Sequence, residues 1–238
     1  MMQPHPAPEI FDIDRAEIAA EPWSWEFARE RRADIDRYFA DLQRRRPGVW
    51  NGRVLLLHRY AIAGRTLRGG CFETDYSSFI TWRDREFPNP DVHNFFAAAA
   101  LRSADGAYLL GEMASYTAGA GRTYFCCGTP EPADIDADGR IDLDANLVRE
   151  LLEETGIAAA ELDAAPGWTV VRDRCFLGFM KLVTSRQSAD ELRSRIRRHI
   201  AADKHPELAD MRIVRSTVDI DTRMPPSVVA YLERQWRQ

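Results

Sequence analysis

No stretch of these 238 residues approaches the run of about 18 apolar residues that a membrane-spanning helix needs. The start, Met1-Met2-Gln3-Pro4-His5-Pro6, is polar and proline-rich and does not read as a signal peptide. Cysteine is scarce. Cys71, Cys126, Cys127 and Cys175 lack the paired spacing of a metal site, and the adjacent two point to opposite faces if they lie on a strand. Unpatterned thiols of this kind suit a reducing cytoplasm, where they serve as small buried hydrophobes. His5, His58, His93, His199 and His205 are scattered, with no two at a zinc-ligand spacing on one helix. There is no phosphate-binding P-loop, no serine nucleophile elbow, no internal repeat and no low-complexity tract. A formal charge of −5 argues against a polyanion-binding surface over the whole protein, and so against a nucleic-acid partner, while leaving room for a local phosphate pocket.

What is present is enough apolar residue (45%) for a substantial core, in a length that suits one large domain or a catalytic domain with an extension. The most informative stretch is Arg149-Glu150-Leu151-Leu152-Glu153-Glu154-Thr155-Gly156-Ile157. On a helix, with Glu150 at about 0°, Glu153 falls near 300° and Glu154 near 40°, so the three carboxylates share roughly one third of the surface. Leu143, Leu147, Val148, Leu151 and Leu152 spread over the other side, from about 20° to 200°, and are expected to be buried. Glu154 sits at the border. Gly156 is placed to end the helix in the left-handed conformation, and Asp142 and Asp144 suit its first turn. Three clustered carboxylates read either as a solvated acidic face or as the oxygen donors of a hard divalent cation, which also bridges to substrate phosphates. Arg149 is either a surface arginine or the group that orients those carboxylates.

The pattern Arg-Glu-aliphatic-x-Glu-Glu-x-Gly-aliphatic resembles the second half of the Nudix box, matched at all seven specified positions. The resemblance implies an α/β fold, an α/β/α sandwich with a mixed sheet. It also implies Mg²⁺ (or Mn²⁺) held by Glu150, Glu153 and Glu154, with Arg149 holding the glutamates in place. The implied activity is hydrolysis of a nucleoside diphosphate linked to another group: UDP-glucose or another UDP-sugar, ADP-ribose or a dinucleotide cofactor. A homodimer is implied too, unless the N-terminal extension covers the usual interface. The first half of the box departs from the pattern. Gly128 is the candidate for its leading glycine, 21 positions before Arg149 and about seven more than the family spacing. The upstream glutamate is missing; Glu131, Asp138 and Asp142 are the candidate substitutes. That departure motivates an alternative reading, a Nudix-fold binding or regulatory module without turnover. A third reading is an acidic helix in an unrelated domain.

Residues 1–90 are expected to be an N-terminal α+β extension, and residues 91–238 the hydrolase-like domain. The first fourteen residues read as loosely ordered, and Pro22 to Arg45 as a helix stopped by Pro47-Gly48. Strands are expected at 53–59, 66–74 and 79–83. Pro47-x-x-Trp50-Asn51-Gly52 and Gly70-Cys71-Phe72-Glu73-Thr74-Asp75-Tyr76 resemble the extension of eukaryotic Nudix proteins associated with UDP-sugars. In such an extension Tyr76, Phe79 and Trp82 stack on a base or cover a sugar; otherwise they are core aromatics. Arg44-Arg45-Arg46 and Arg193, Arg195, Arg197 and Arg198 are solvated charges or phosphate contacts. Beyond Pro90, 95–103 and 107–113 are expected to form a hairpin about Asp105-Gly106, with strands at 123–127, 168–174, 175–184 and 211–214. Helices are expected at 143–155, at 188–202 with Ser188 and Glu191 as a capping box, and at 228–236. Asp190, Glu191, Glu207 and Asp210 are candidates to complete the metal site or act as base.

Overall fold

The computed structural model describes residues 6–237. The chain begins with β1 (Glu9–Ile13) and β2 (Arg15–Ala20), then α1 (Glu26–Glu30) and α2 (Arg32–Arg45). Next come β3 (Arg53–Ala63), β4 (Thr66–Asp75) and α3 (Tyr76–Asp84). The strands β5 (His93–Arg102), β6 (Tyr108–Met113), β7 (Thr123–Tyr124) and β8 (Cys126–Gly128) lead to α4 (Leu143–Thr155). The chain closes with β9 (Leu162–Ala164), β10 (Trp168–Asp173), β11 (Phe176–Ser185), α5 (Ala189–Ala202), β12 (Leu208–Val214) and α6 (Pro226–Arg237).

The strands form one mixed sheet, with β5 at its hub. β5 runs parallel to β11 from Asn94↔Phe176 to Arg102↔Thr184, and its other edge pairs first with β3 and then with β8. Alternation along β5 sorts the core into two layers. Phe95, Ala97, Ala99 and Leu101 pack with Leu143, Leu147 and Leu151 of α4 and with Leu192 and Ile196 of α5. Ala98 and Ala100 pack on the opposite face with Val228, Tyr231 and Leu232 of α6. Helices therefore cover both faces, giving the expected α/β/α arrangement. Leu177 and Phe179 of β11 face one layer and Met180 the other, so that strand is buried on both sides. Cys126 and Cys127 divide between the layers in the same way, and all four cysteines are free.

The N-terminal region departs from expectation in three places. β1 pairs with β10, and β2 pairs parallel with β4, so residues 9–20 are strands rather than loose chain; Met1 to His5 lie outside the described residues. The helix expected from Pro22 to Arg45 is two helices, broken at Arg31. The strand expected at 79–83 is helix α3. Asp75 caps it, accepting from the Ser78 N–H at 2.8 Å, and its apolar residues are buried nearly all round, which conceals any period. The Asp105-Gly106 turn is present, with Gly106 at φ +84°, but β5 and β6 diverge after the single pair Arg102↔Tyr108. β6 turns to β7 and β12 instead.

No described helix is long and apolar enough to cross a membrane.

Candidate active site

Helix α4 is fixed at both ends by its own sequence. Asp142 accepts from the Ala145 N–H at 2.9 Å, and Gly156 adopts φ +68° with its N–H on the Leu152 carbonyl. A Cβ at Gly156 would meet the His199 ring at 2.7 Å, so glycine also permits the close approach of α5. His199 Nε2 lies 2.8 Å from the Glu153 carbonyl. The buried stripe is narrower than expected. Leu143, Leu147 and Leu151 are in the core, whereas Val148 and Leu152 are 37% and 47% exposed. α4 meets the sheet along one line, and residues a further 100° round the helix clear it.

That same rotation sinks Glu154. It is only 8% exposed, not at a half-shielded border. Burial pushes its carboxyl well above the usual range, opposed by hydrogen bonds from the Cys126 side chain and the Cys127 backbone. Its Oε2 is buried without a hydrogen-bond partner. Glu150 is mostly buried, and burial raises its carboxyl to about 7 despite the adjacent Arg149. Glu153 is open to solvent. All three line one cavity of about 170 Å³, shared with His199, Asp203, His205, Pro206 and Glu207.

Arg149 bridges the carboxylates to the loop before the helix. Its Nη1 lies 2.8 Å from Glu150 and 3.4 Å from Glu153, while Nη2 contacts both oxygens of Asp134 at 3.1 and 3.3 Å. Asp134 is buried and also accepts from Asn146 Nδ2 at 3.0 Å and from the Glu131 N–H at 2.9 Å. The acid that anchors Arg149 is therefore Asp134, which is not among the substitutes that the sequence offers for the missing glutamate. Asp142 is spent on the helix cap, Asp138 is exposed, and Glu131 contributes its backbone. Sequence reading missed Asp134 because the inserted loop breaks the spacing. A short 3-10 turn, Pro132–Asp134, carries it back over the start of α4.

Gly128 is where the glycine of the box is expected to be needed. A Cβ there would sit 2.1 Å from the Glu150 carboxyl. Gly128→Ala is expected to retain the fold and to force Glu150 aside; a misplacement of about 1 Å at reacting groups can cost roughly a hundredfold in rate. Thermal melts beside metal-dependent turnover check this, and full activity in Gly128→Ala would separate Gly128 from the site.

The remaining candidates sort cleanly. Of Asp190, Glu191, Glu207 and Asp210, Glu207 is the one that lines the cavity, beside Asp203; burial of its carboxyl end and the charges of Glu153 and Asp203 raise its pKa although the residue as a whole is exposed. Glu191 closes the Ser188 capping box, Asp210 pairs with Arg193 and Arg197, and Asp190 lies 3.9 Å from Arg215. Arg195 pairs with Glu161, and Arg198 is exposed. Arg44 pairs with Asp41, Arg45 bonds the Asp41 carbonyl, and Arg46 bonds the carbonyls of Thr117 and Ala118. Phe79 and Trp82 are core residues, Trp82 fully buried with its Nε1–H on the Asn89 carbonyl, so neither can cover a ligand; Tyr76 packs against Phe39 and Phe79.

Mg²⁺ suits the donor set: hard carboxylate oxygens, one of them buried and unpartnered, on one wall of a cavity. Among the described residues no group of three or more His, Cys, Asp or Glu side chains forms a ready metal cage. Arg149 lies against two of the carboxylates, and Mg²⁺ is ordinarily held by one or two carboxylates with water and substrate phosphates completing its shell.

Solved structures similar to this chain include Nudix proteins. One is a Nudix hydrolase from M. smegmatis, RenU, at 15% identity, covering 61% of this chain and 84% of that one, with a TM-score of 0.39. Another is the MutT protein from Methanosarcina mazei Go1, at 19% identity, covering 61% and 94%, with a TM-score of 0.41. A third is the NUDIX domain of Shewanella oneidensis NrtR complexed with ADP ribose, at 13% identity, covering 61% and 87%, with a TM-score of 0.40. No protein-family model and no curated protein matches the chain. The Nudix resemblance is thus carried by the residues from Arg149 to Ile157 and by where the fold puts them.

Proposed function

We propose that the protein is a Nudix-type pyrophosphohydrolase, hydrolysing the pyrophosphate bond of a nucleoside diphosphate linked to another group with Mg²⁺ or Mn²⁺. The observation that carries this is the convergence of Glu150, Glu153 and Glu154 on one cavity, with Glu154 Oε2 buried and unpartnered. An acid left in that state inside a protein is costly unless a cation or proton compensates it. A divalent ion there would neutralise charge on the pyrophosphate oxygens and make water more acidic. Glu150, Glu153 and Glu154 would hold it. Arg149 and Asp134 fix the direction of the first two carboxylates, and Gly128 leaves the room that Glu150 needs. Glu207, which lines the same cavity, would take a proton from the attacking water or complete the metal site. The oxygen of that water attacks one phosphorus, the bridging oxygen leaves with the other, and two phosphate esters result.

UDP-glucose, ADP-ribose, NADH and diadenosine polyphosphates, each with Mg²⁺ or Mn²⁺ and with chelator, form the panel that tests this. Metal-dependent release of phosphate esters from one class is the expected result. Silence across the panel, with Mg²⁺ still raising the melting temperature, would support a binding module instead. Silence with no effect of metal would defeat both readings.

A further inference from the structure

One partly exposed aromatic ring is tied to the wall of this cavity without belonging to the carboxylate machinery. Tyr116 is 39% exposed, yet it is fastened. Its hydroxyl donates to the carbonyl of Pro206, a lining residue adjacent to Glu207. Partial burial raises the pKa of the phenol, and the charges of Asp203 and Glu207 add to the shift. Ring atom Cδ2 lies over Gly48, where a Cβ would come within 3.4 Å. The backbone around the ring is tied on both sides. The Ala114 N–H donates to the Glu207 carbonyl at 2.8 Å, and Arg46 Nη1 donates to the Thr117 carbonyl at 2.9 Å. Ala118 packs on the cluster of Phe39, Leu42, Val49 and Ile80, which belongs to the N-terminal region.

A tyrosine held by its hydroxyl has little rotational freedom left to lose. A ring so held and still open to solvent offers a flat apolar surface that a ligand can cover at small entropic cost. We propose that Tyr116 is the stacking platform for the aromatic base of the nucleoside diphosphate, and that the N-terminal extension, through Arg46 and Gly48, holds that platform still. The proposal rests on the pyrophosphohydrolase reading for the position of the diphosphate, which the carboxylate cavity would take beside the ring. Stacking accepts any base, so the ring selects nucleotides over other diphosphates rather than one nucleotide over another.

The test is calorimetric binding of AMP, UMP and ribose 5-phosphate in chelator, using the full chain. Tyr116→Ala should weaken AMP and UMP roughly tenfold and leave ribose 5-phosphate unaltered, while Tyr116→Phe, which keeps the ring and loses the tether, should cost about two- to threefold. With a cleaved substrate, the loss should fall in KM rather than in kcat. In the wild-type protein AMP should shift the ring proton resonances of Tyr116, a readout that needs no variant to fold. Tyr116-dependent binding of AMP and UMP with no turnover of any diphosphate would sink the hydrolase and keep the platform. Unchanged affinity in folded Tyr116→Ala, unshifted Tyr116 resonances, or no binding of AMP or UMP to the wild type would overturn the platform.

Discussion

Glu154→Gln is expected to abolish nearly all metal-dependent turnover while making the metal-free protein more stable. Losing a group that merely orients a metal ligand costs about 10- to 100-fold in affinity or activity, so losing a ligand carboxylate should cost on the order of a hundredfold or more. The gain in stability follows from burial. The folded state holds the Glu154 carboxyl well above its ordinary value, and Glu150 is raised from 4.5 to about 7. A raised carboxyl means that the folded state binds protons more tightly than the unfolded state does. Its contribution is complete below pH 4.5 and is lost as the pH rises towards 7 for Glu150, and beyond that for Glu154. At about 1.4 kcal/mol per pH unit, the Glu150 shift alone is worth roughly 3 kcal/mol. His93, whose pKa burial lowers, works in the opposite direction over the lower part of this window. The clean measurement is therefore a difference. Unfolding free energies in chelator are compared between the wild type and Glu150→Gln/Glu154→Gln from pH 5 to 8, where the wild type should fall relative to the variant. Mg²⁺ should close the gap by stabilising only the wild type. Parallel pH curves, or full turnover in Glu154→Gln, would contradict the assignment of these carboxylates.

Asp134→Ala should be the most damaging single change outside α4. It leaves the Arg149 guanidinium and the Asn146 amide without their buried acceptor. Removing one partner of a buried pair costs about 3–5 kcal/mol, and because Arg149 keeps some access to water the lower end applies, about 3 kcal/mol. Arg149 would then be free to settle on Glu150 and Glu153, so Mn²⁺ affinity should also fall, by roughly ten- to a hundredfold. Urea denaturation and metal titration read the two effects separately. Asp134→Ala combined with Arg149→Met should cost less than the sum of the single changes, since the two side chains act as a unit. Wild-type stability and wild-type metal affinity in Asp134→Ala would remove Asp134 from the site.

The legible parts of the fold are those whose causes are local. Asp142 and Gly156 bound α4, Ser188 and Glu191 start α5, and Gly106 turns between β5 and β6; each depends on hydrogen bonds or backbone angles within a few residues. The apolar runs of β5 and β11 likewise declare strands, and the run Phe176-Leu177-Gly178-Phe179-Met180 declares one buried on both faces. Helix α3 was not legible, because a helix buried nearly all round has no polar face to mark its period. The two N-terminal strands were not legible either, because each is short and is held by a partner far away in the chain, β10 and β4.

The candidate site divides along the same line. Sequence alone determined the Arg149, Glu150, Glu153 and Glu154 cluster, its helix and the glycine that ends it, because spacing on a helix places side chains by geometry. Tertiary structure decided what those groups experience. The depth of Glu154 depends on how α4 rolls against β5 and β8, and the anchor of Arg149 on a loop that returns to the helix by folding. The membership of Glu207 and the tether of Tyr116 to Pro206 depend on turns brought together from distant parts of the chain. Burial and desolvation are properties of the packed molecule, so no local pattern carries them.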